Sequence, residues 1–413
     1  MDSSRSRSQV ASWALAACVG AATMLLACLL TPPAPAPFPG HGEYFAAQAV
    51  DPFSLVGRFP QRILWPVLAW CAGKAGIAPA AFSPVCSGAL LTVVFWFCRE
   101  RGARFLDALL VTVAVAATGA VQLYQVMTCH SDTLNWILLL LLVHHARRPA
   151  VFWPLVLLSA LSHEMIFSLA PWLVWLRCRS GGRPARELLL LFAVGAAYAA
   201  WSKFVRTFGS GQSFDALYYI QENWLVLGTL GLWVLWGLLL LVEFGPLLTI
   251  VAWAWRQDLG LGGRRGTLIY VACVLGMMAF AYDVQRFSCY AFLPLVLASL
   301  RWFAAGGSRA LYSALLASGI GSYVAFHWIP GEAGGWPYER AWHHVAAFET
   351  HAPGTRHRFF TVVLPHLWLE TLAFGALALA IVCAGRLLAR RVPGGAGQIA
   401  APGGDATTRN ASP

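Results

Sequence analysis

Long, mostly apolar runs dominate the hydrophobic pattern of this chain. The runs Phe105–Met127, Leu188–Val205 and Leu367–Leu388 are each close to the roughly 20 residues that a helix needs to cross a bilayer. They are rich in Leu and Ala and do not alternate apolar with polar positions, which argues against membrane-spanning strands. The pattern therefore predicts an all-α membrane protein.

Short clusters of arginine separate the apolar runs. Cytoplasmic loops of membrane proteins keep an excess of Lys and Arg, so we take each cluster as cytoplasmic. This assignment predicts about 11–13 transmembrane or re-entrant helices with both termini in the cytoplasm. The clusters are Arg99/Arg101/Arg104, Arg147/Arg148, Arg177/Arg179/Arg183/Arg186, Arg256/Arg264/Arg265, Arg301/Arg309 and Arg386/Arg390/Arg391.

The same assignment divides the chain into one membrane domain, residues 10–390, and two cytoplasmic ends. Residues 1–9 form the N-terminal end, and residues 391–413, rich in Gly, Ala and Pro, are expected to be disordered. The predicted outer features are a loop over residues 32–61, an interfacial helix over 62–78 and a second loop over 329–366.

Composition agrees with a chain that lies in lipid. Hydrophobic residues make up 58% of the chain and charged residues 11%, with a mean hydropathy of +0.62, which excludes a soluble domain. The net charge of +11 does not indicate a nucleic-acid partner, because the basic residues lie between apolar runs. The ten cysteines show no metal-binding spacing, and we interpret nearly all of them as small buried apolar residues.

Residues 150–176 lie between two basic clusters and therefore have to enter the membrane and return. Each half has about 13 residues, or roughly 20 Å of helix, which is shorter than the apolar core of a bilayer. The sequence predicts a hairpin of two short helices with His163 and Glu164 at its tip. Such a tip has to line a cavity walled by protein or water, because its backbone cannot face lipid.

Ionisable residues outside the cytoplasmic clusters collect on the predicted outer side. Several of them at one depth are costly to keep near a membrane without a function. Structural alternatives remain open: Asp132 and Asp283 can cap helices, Arg286 can pair with Asp283, and His130 can be a polar turn residue. The candidates are Glu43, Arg62, His130, Asp132, His163, Glu164, Asp283 and Arg286.

The order of several short motifs resembles a known family. An acid in the first outer loop, Glu43, is followed by the segment Phe59–Leu68 and by an Asp at the next outer turn, Asp132. The motifs Ser162-His163-Glu164 and Asp283-Val284-Gln285-Arg286 come after it. Over about residues 40–300 this order resembles bacterial polytopic proteins of the GT-C glycosyltransferase superfamily.

The resemblance implies a transferase at the outer face of a bacterial plasma (inner) membrane. It implies a lipid-linked donor, a sugar on a polyprenyl phosphate, and an acceptor that is a glycan, a lipid or a protein. In such enzymes the first-loop acid, here Glu43, is the general base or a ligand of a divalent metal ion. This chain has a single Glu where the family commonly has Asp or an Asp-Glu pair, and His163 replaces the usual Lys.

The residues themselves suit this chemistry. Glycosyl transfer needs a base for the acceptor hydroxyl and positive charge on the departing phosphate. Glu43 suits the base, and the guanidinium groups of Arg62 and Arg286 suit the phosphate, because they bind it through two hydrogen bonds. The remaining candidates would complete the substrate-binding site.

Two alternatives of different kinds remain open. A polysaccharide polymerase or ligase of similar topology would depend more on Arg62 and Arg286 than on Glu43. A transporter or flippase without catalytic activity would place its polar groups near the middle of the membrane, and Glu243 lies deep inside an apolar run.

Overall fold

The computed structural model describes residues 3–30, 41–55, 60–126, 131–209, 240–241, 244–277, 287–328 and 368–392. These residues form helices and their connections, and no strand occurs among them. The helices are α1 (Ser3–Leu30), α2 (His41–Val50), α3 (Leu64–Lys74), α4 (Pro79–Glu100), α5 (Phe105–Ala116), α6 (Gly119–Val126), α7 (Asp132–His144), α8 (Pro149–Ser162), α9 (Ala170–Arg179), α10 (Pro184–Phe208), α11 (Leu248–Ala254), α12 (Gly263–Met277), α13 (Phe292–Ala304), α14 (Arg309–Trp328) and α15 (Trp368–Arg391). Short 3-10 segments cover Glu164–Leu169, Gly245–Leu247 and Cys289–Ala291.

Three of these helices are long and apolar enough to cross a membrane. They are Gln9–Leu29 within α1, Ala81–Glu100 within α4, and Pro184–Phe208, which is α10. The described part of the chain is thus an all-helical membrane protein, which confirms this part of the prediction. The predicted outer loop 329–366 and nearly all of the predicted tail 391–413 lie outside the described residues.

Burial differs sharply between the long helices. In α4, 67% of the membrane-length window is buried, and Leu90, Leu91 and Val94 are fully enclosed by α1, α5 and α7. In α10 the corresponding share is 11%, and the side chains of Leu189 and Phe192 are 67% and 74% exposed. Its high burial makes α4 the central helix. Because large exposed apolar side chains are stable only in apolar surroundings, α10 has a lipid-facing surface.

The apolar run that begins at Phe105 forms two helices instead of one. α5 ends at Ala116 and α6 begins at Gly119, and polar side chains occupy the break between them. The Thr118 hydroxyl donates to the carbonyl of Val115 at 2.7 Å, and the Gln122 amide donates to the carbonyl of Ala116 at 2.7 Å. These side chains satisfy backbone carbonyls that the helix would otherwise use, so a buried break is tolerated.

The segment between the second and third basic clusters is a pair of short helices, α8 and α9. Residues 163–169 connect the two helices. At the opposite end of the pair, a buried ion pair joins α9 to α10, and in it Arg177 donates two hydrogen bonds of 3.0 Å to Glu187. The indole of Trp153 on α8 also donates to Glu187, and Arg177 donates to the carbonyl of Ala146. This cluster fixes the ends of α7, α8, α9 and α10 at one level.

Candidate functional site

His163 is the residue at which α8 stops. Its backbone is extended, with φ −160° and ψ 120°, and its ring caps the 3-10 segment that follows. The Nδ1 atom accepts a hydrogen bond from the backbone N–H of Met165 at 3.3 Å. A neutral ring that accepts at Nδ1 carries its proton on Nε2, and this atom lies 3.8 Å from Oδ1 of Asp132, a weak electrostatic contact.

A buried hydrogen-bond network joins this tip to the start of α7. The Ser159 hydroxyl donates to Oδ1 of Asn135 at 2.7 Å, and the Asn135 amide donates to the carbonyl of His163 at 3.4 Å. The Ser162 hydroxyl donates to the carbonyl of Ser131 at 3.3 Å. All of these residues are buried, and a buried polar group without a partner is costly, so the network fixes the two helices in one register.

Arg62 and Glu164 form a second ionic contact at the same tip. The Arg62 Nε donates to Oε2 of Glu164 at 2.9 Å, and Nη2 donates to Oε1 at 2.5 Å. The two side chains are 6% and 18% exposed, although 102 residues separate them in the chain. A guanidinium–carboxylate pair that is joined by two hydrogen bonds and largely shielded from solvent fixes both groups in one plane.

The membrane-length helix α10 supports this ion pair from the side. The Trp201 indole donates to the carbonyl of Gln61 at 3.0 Å and so holds the backbone that precedes Arg62. Tyr198, one turn earlier, lies beside Glu164, and its ring packs on that of Phe167 at 5.4 Å between centroids. The α8–α9 tip therefore lies against the middle part of α10.

The position along α10 gives the depth of the tip. Tyr198 lies ten residues before Phe208, the last residue of α10, which is about 15 Å of helix. It also lies 14 residues after Pro184, the first residue, which is about 21 Å. The Arg62–Glu164 pair is therefore recessed from both ends of this helix.

The structure brings together four of the eight candidate residues: Arg62, Asp132, His163 and Glu164. Three separate parts of the chain contribute them, and all four are largely buried. His130, Asp283 and Arg286 lie outside the described residues. The first described residues after Arg286 pack close to this region, because Tyr290 contacts the ring of Trp136, one turn after Asp132.

Glu43 lies on α2, and its side chain is outside what the structure describes. α2 itself packs on α3 and α4, with Ala49 enclosed near Trp65, Ala69 and Phe82. Because α3 begins two residues after Arg62, the helix that carries Glu43 is a neighbour of the segment that carries the ion pair.

Sequence reasoning missed Asn135, Ser159 and Tyr198 as members of the site. A signal was present for two of them: Asn135 follows Asp132 by three residues inside an apolar run, and Ser159 precedes Ser162 by three. Polar residues three apart share one helix face, so each pair marks the side of its helix that meets the other. Tyr198 gave no comparable signal, because aromatic residues are common on lipid-facing helices.

The described groups of the cluster already have partners within the chain. Both ring nitrogens of His163 face partners within the chain, and Glu164 holds two of the three Arg62 guanidinium nitrogens. In this arrangement the described groups orient one another inside an apolar bundle. A ligand phosphate at Arg62 would share the guanidinium with Glu164.

Metal binding has no support among the residues that the structure describes, where no group of three or more His, Cys, Asp or Glu side chains converges. The Glu43 side chain and Asp283 are outside that set. Comparisons of the chain with protein-family models, with curated proteins and with solved structures give no match. The fold and the site define a helical membrane protein with a buried ionic cluster.

Proposed function

We propose that the chain is a membrane glycosyltransferase of a bacterial plasma membrane. It takes a sugar from a polyprenyl-phosphate carrier and transfers it, with inversion, to an acceptor at the extracytoplasmic face. The observation that carries the proposal is the convergence of Arg62, Asp132, His163 and Glu164 in one buried cluster. Ionic groups gathered from distant parts of the chain inside an apolar bundle are costly, and this cost is typical of functional sites.

In the proposed reaction Glu43 takes the proton of the acceptor hydroxyl. The acceptor oxygen forms a bond to the anomeric carbon while the bond from that carbon to the carrier phosphate breaks, and the electron pair leaves with the phosphate. The positive groups of Arg62 and Arg286 stabilise the charge on the departing phosphate. Glu164 and Asp132 hold Arg62 and His163 in place, so these acids are positioning residues.

The geometry suits a lipid-linked donor in one further respect. The cluster is recessed along α10, and the outer surface of α10 is apolar, with Phe192 and Phe204 74% and 47% exposed. A polyprenyl chain is as apolar as the bilayer, so it can lie along such a surface while its phosphate reaches inward.

The proposal is tested with Glu43→Gln, which keeps the size of the side chain and removes its basicity. We expect loss of a cell-surface glycan at an unchanged amount of membrane-inserted protein, measured by glycan staining and immunoblotting. Glu100→Gln is the matched control, because Glu100 is an exposed acid at the end of α4. A normal glycan in the Glu43→Gln strain would contradict the proposed base.

The recessed position favours one second candidate, a carrier for a polar solute. A carrier exposes its central site to each side of the membrane in turn, whereas the proposed transferase exposes it to one side. We would place single cysteines at Gln61 and Phe167 in a background without the ten native cysteines and label them with a membrane-impermeant thiol reagent. Labelling from the extracytoplasmic side alone supports the transferase, and labelling from both sides supports the carrier.

A further inference from the structure

A groove with a volume of about 1150 Å³ lies beside the contact between α11 and α15, and no residue of the ionic cluster at Arg62 is among its described lining residues. The two helices meet closely at one point, where a Cβ at Gly385 would lie 2.7 Å from the Cβ of Ala252. The Trp253 indole also donates to the carbonyl of Val392 at 3.1 Å. Two helices that are fixed to each other therefore form walls of the groove.

The groove has an apolar part and a cationic end. Leu248, Val251 and Ile381 line the apolar part. Four arginines from three separate elements line the other end: Arg256 after α11, Arg264 on α12, and Arg386 and Arg390 on α15. All four are exposed, and no acidic residue occurs among the described lining residues.

The outer surface of α15 next to the groove is also apolar. Leu372, Leu379 and Leu387 are 64%, 64% and 57% exposed, so this helix has a lipid-facing side. Between Ala378 and Arg390, the two ends of the α15 lining, the helix rises about 18 Å. An occupant therefore needs a long apolar body and an anionic head.

We infer that this groove is a binding site for an anionic phospholipid. The phosphate lies among the four arginines, because guanidinium groups bind phosphate through charge-assisted hydrogen bonds. One acyl chain lies along the apolar lining between α11 and α15. Basic pockets between membrane helices bind acidic lipid headgroups in this manner. A soluble phosphate compound would leave the apolar part of the groove without a partner, so the lipid is the better fit.

The test is native mass spectrometry of the full-length protein in detergent with phosphatidylglycerol or phosphatidylcholine added. We expect retained phosphatidylglycerol and little phosphatidylcholine. Arg386→Gln/Arg390→Gln should weaken phosphatidylglycerol binding by about thirtyfold. Arg147→Gln/Arg148→Gln removes the same charge from an exposed loop and should change binding by less than about twofold.

A second variant separates a lipid from a phosphate ion. Ala378→Trp fills the apolar part, keeps all four arginines, and should reduce phosphatidylglycerol binding by about tenfold. Millimolar inorganic phosphate should not displace the lipid. Equal losses in the groove variant and the loop control, unchanged binding in Ala378→Trp, or displacement by phosphate would each overturn the inference.

Discussion

At the scale of single residues, Asn135 connects α7, the helix that carries Asp132, to the tip that carries His163. Its oxygen accepts from Ser159 and its amide donates to the carbonyl of His163, so one side chain fixes both α8 and the residue that ends it. The position is 1% exposed, which leaves no water to replace a lost partner. The orientation of His163 toward Asp132 therefore depends on a residue that bonds to the backbone of His163 and not to its ring.

We predict that Asn135→Ala lowers the stability of the protein by about 2 kcal/mol, because it leaves the Ser159 hydroxyl and the His163 carbonyl without this partner. The measurement is the thermal unfolding midpoint in detergent. Asn135→Ala/Ser159→Ala should cost less than the two single substitutions added together, because it removes both ends of one hydrogen bond. Additive losses would show that the two side chains do not interact.

Residue types at the tip were predictable from the sequence, but their partners were not. His163 and Glu164 stand out because two apolar runs too short to cross a bilayer flank them. The pairing of Glu164 with Arg62 was not foreseeable, since 102 residues separate them and no local rule relates the two positions. The sequence also predicted that Arg62 binds phosphate, without the Glu164 carboxylate that already accepts two hydrogen bonds from this guanidinium.

At the scale of helices, the contact between α1 and α4 depends on small residues. A Cβ on Gly20 would lie 2.7 Å from the backbone nitrogen of Thr92 and 2.9 Å from the carbonyl oxygen of Gly88. Trp13 and Trp96 stack on the same pair of helices at 4.6 Å between ring centroids. Without a hydrophobic effect between helices in lipid, such close approach is a main source of their association.

We predict that Gly20→Ala destabilises the protein by about 2 kcal/mol, because the added methyl group forces α1 away from α4. Gly195→Ala is the matched control, since nothing lies within 4 Å of a Cβ at that position on α10. The control should leave the unfolding midpoint unchanged or raise it, because Ala favours helix over Gly. Equal effects of the two substitutions would rule out the close contact at Gly20.

The Arg177–Glu187 pair is the corresponding feature at the other end of α8 and α9. We predict that Glu187→Gln lowers stability by about 3 kcal/mol, because Arg177 remains buried without a counter-charge. The glycan made per folded molecule should stay normal, since α8 separates this pair from the cluster at Glu164. Unfolding in detergent and glycan staining measure the two effects, and a lost glycan at normal folding would place Glu187 in the functional site.

For the whole molecule, apolar patterning predicted the helical class and failed at the interruptions. The run from Phe105 is mostly apolar, yet Thr118 and Gln122 bind its carbonyls and split it into α5 and α6. A hydropathy profile is an average over many residues, so it does not predict which backbone carbonyl a single hydroxyl or amide side chain binds. The convergence of three distant segments at Arg62, Asp132 and Glu164 depends in the same way on packing that no single segment encodes.

The central claim is that these distant segments form one site inside the bundle, and a double-mutant cycle on Arg62 and Glu164 tests it most directly. Arg62→Gln, Glu164→Gln and the double variant are compared by unfolding midpoint in detergent, with Arg147→Gln, Glu100→Gln and their double as the control cycle. We predict a coupling of about 2 kcal/mol between Arg62 and Glu164 and none in the control. Strictly additive effects of Arg62→Gln and Glu164→Gln would contradict the account.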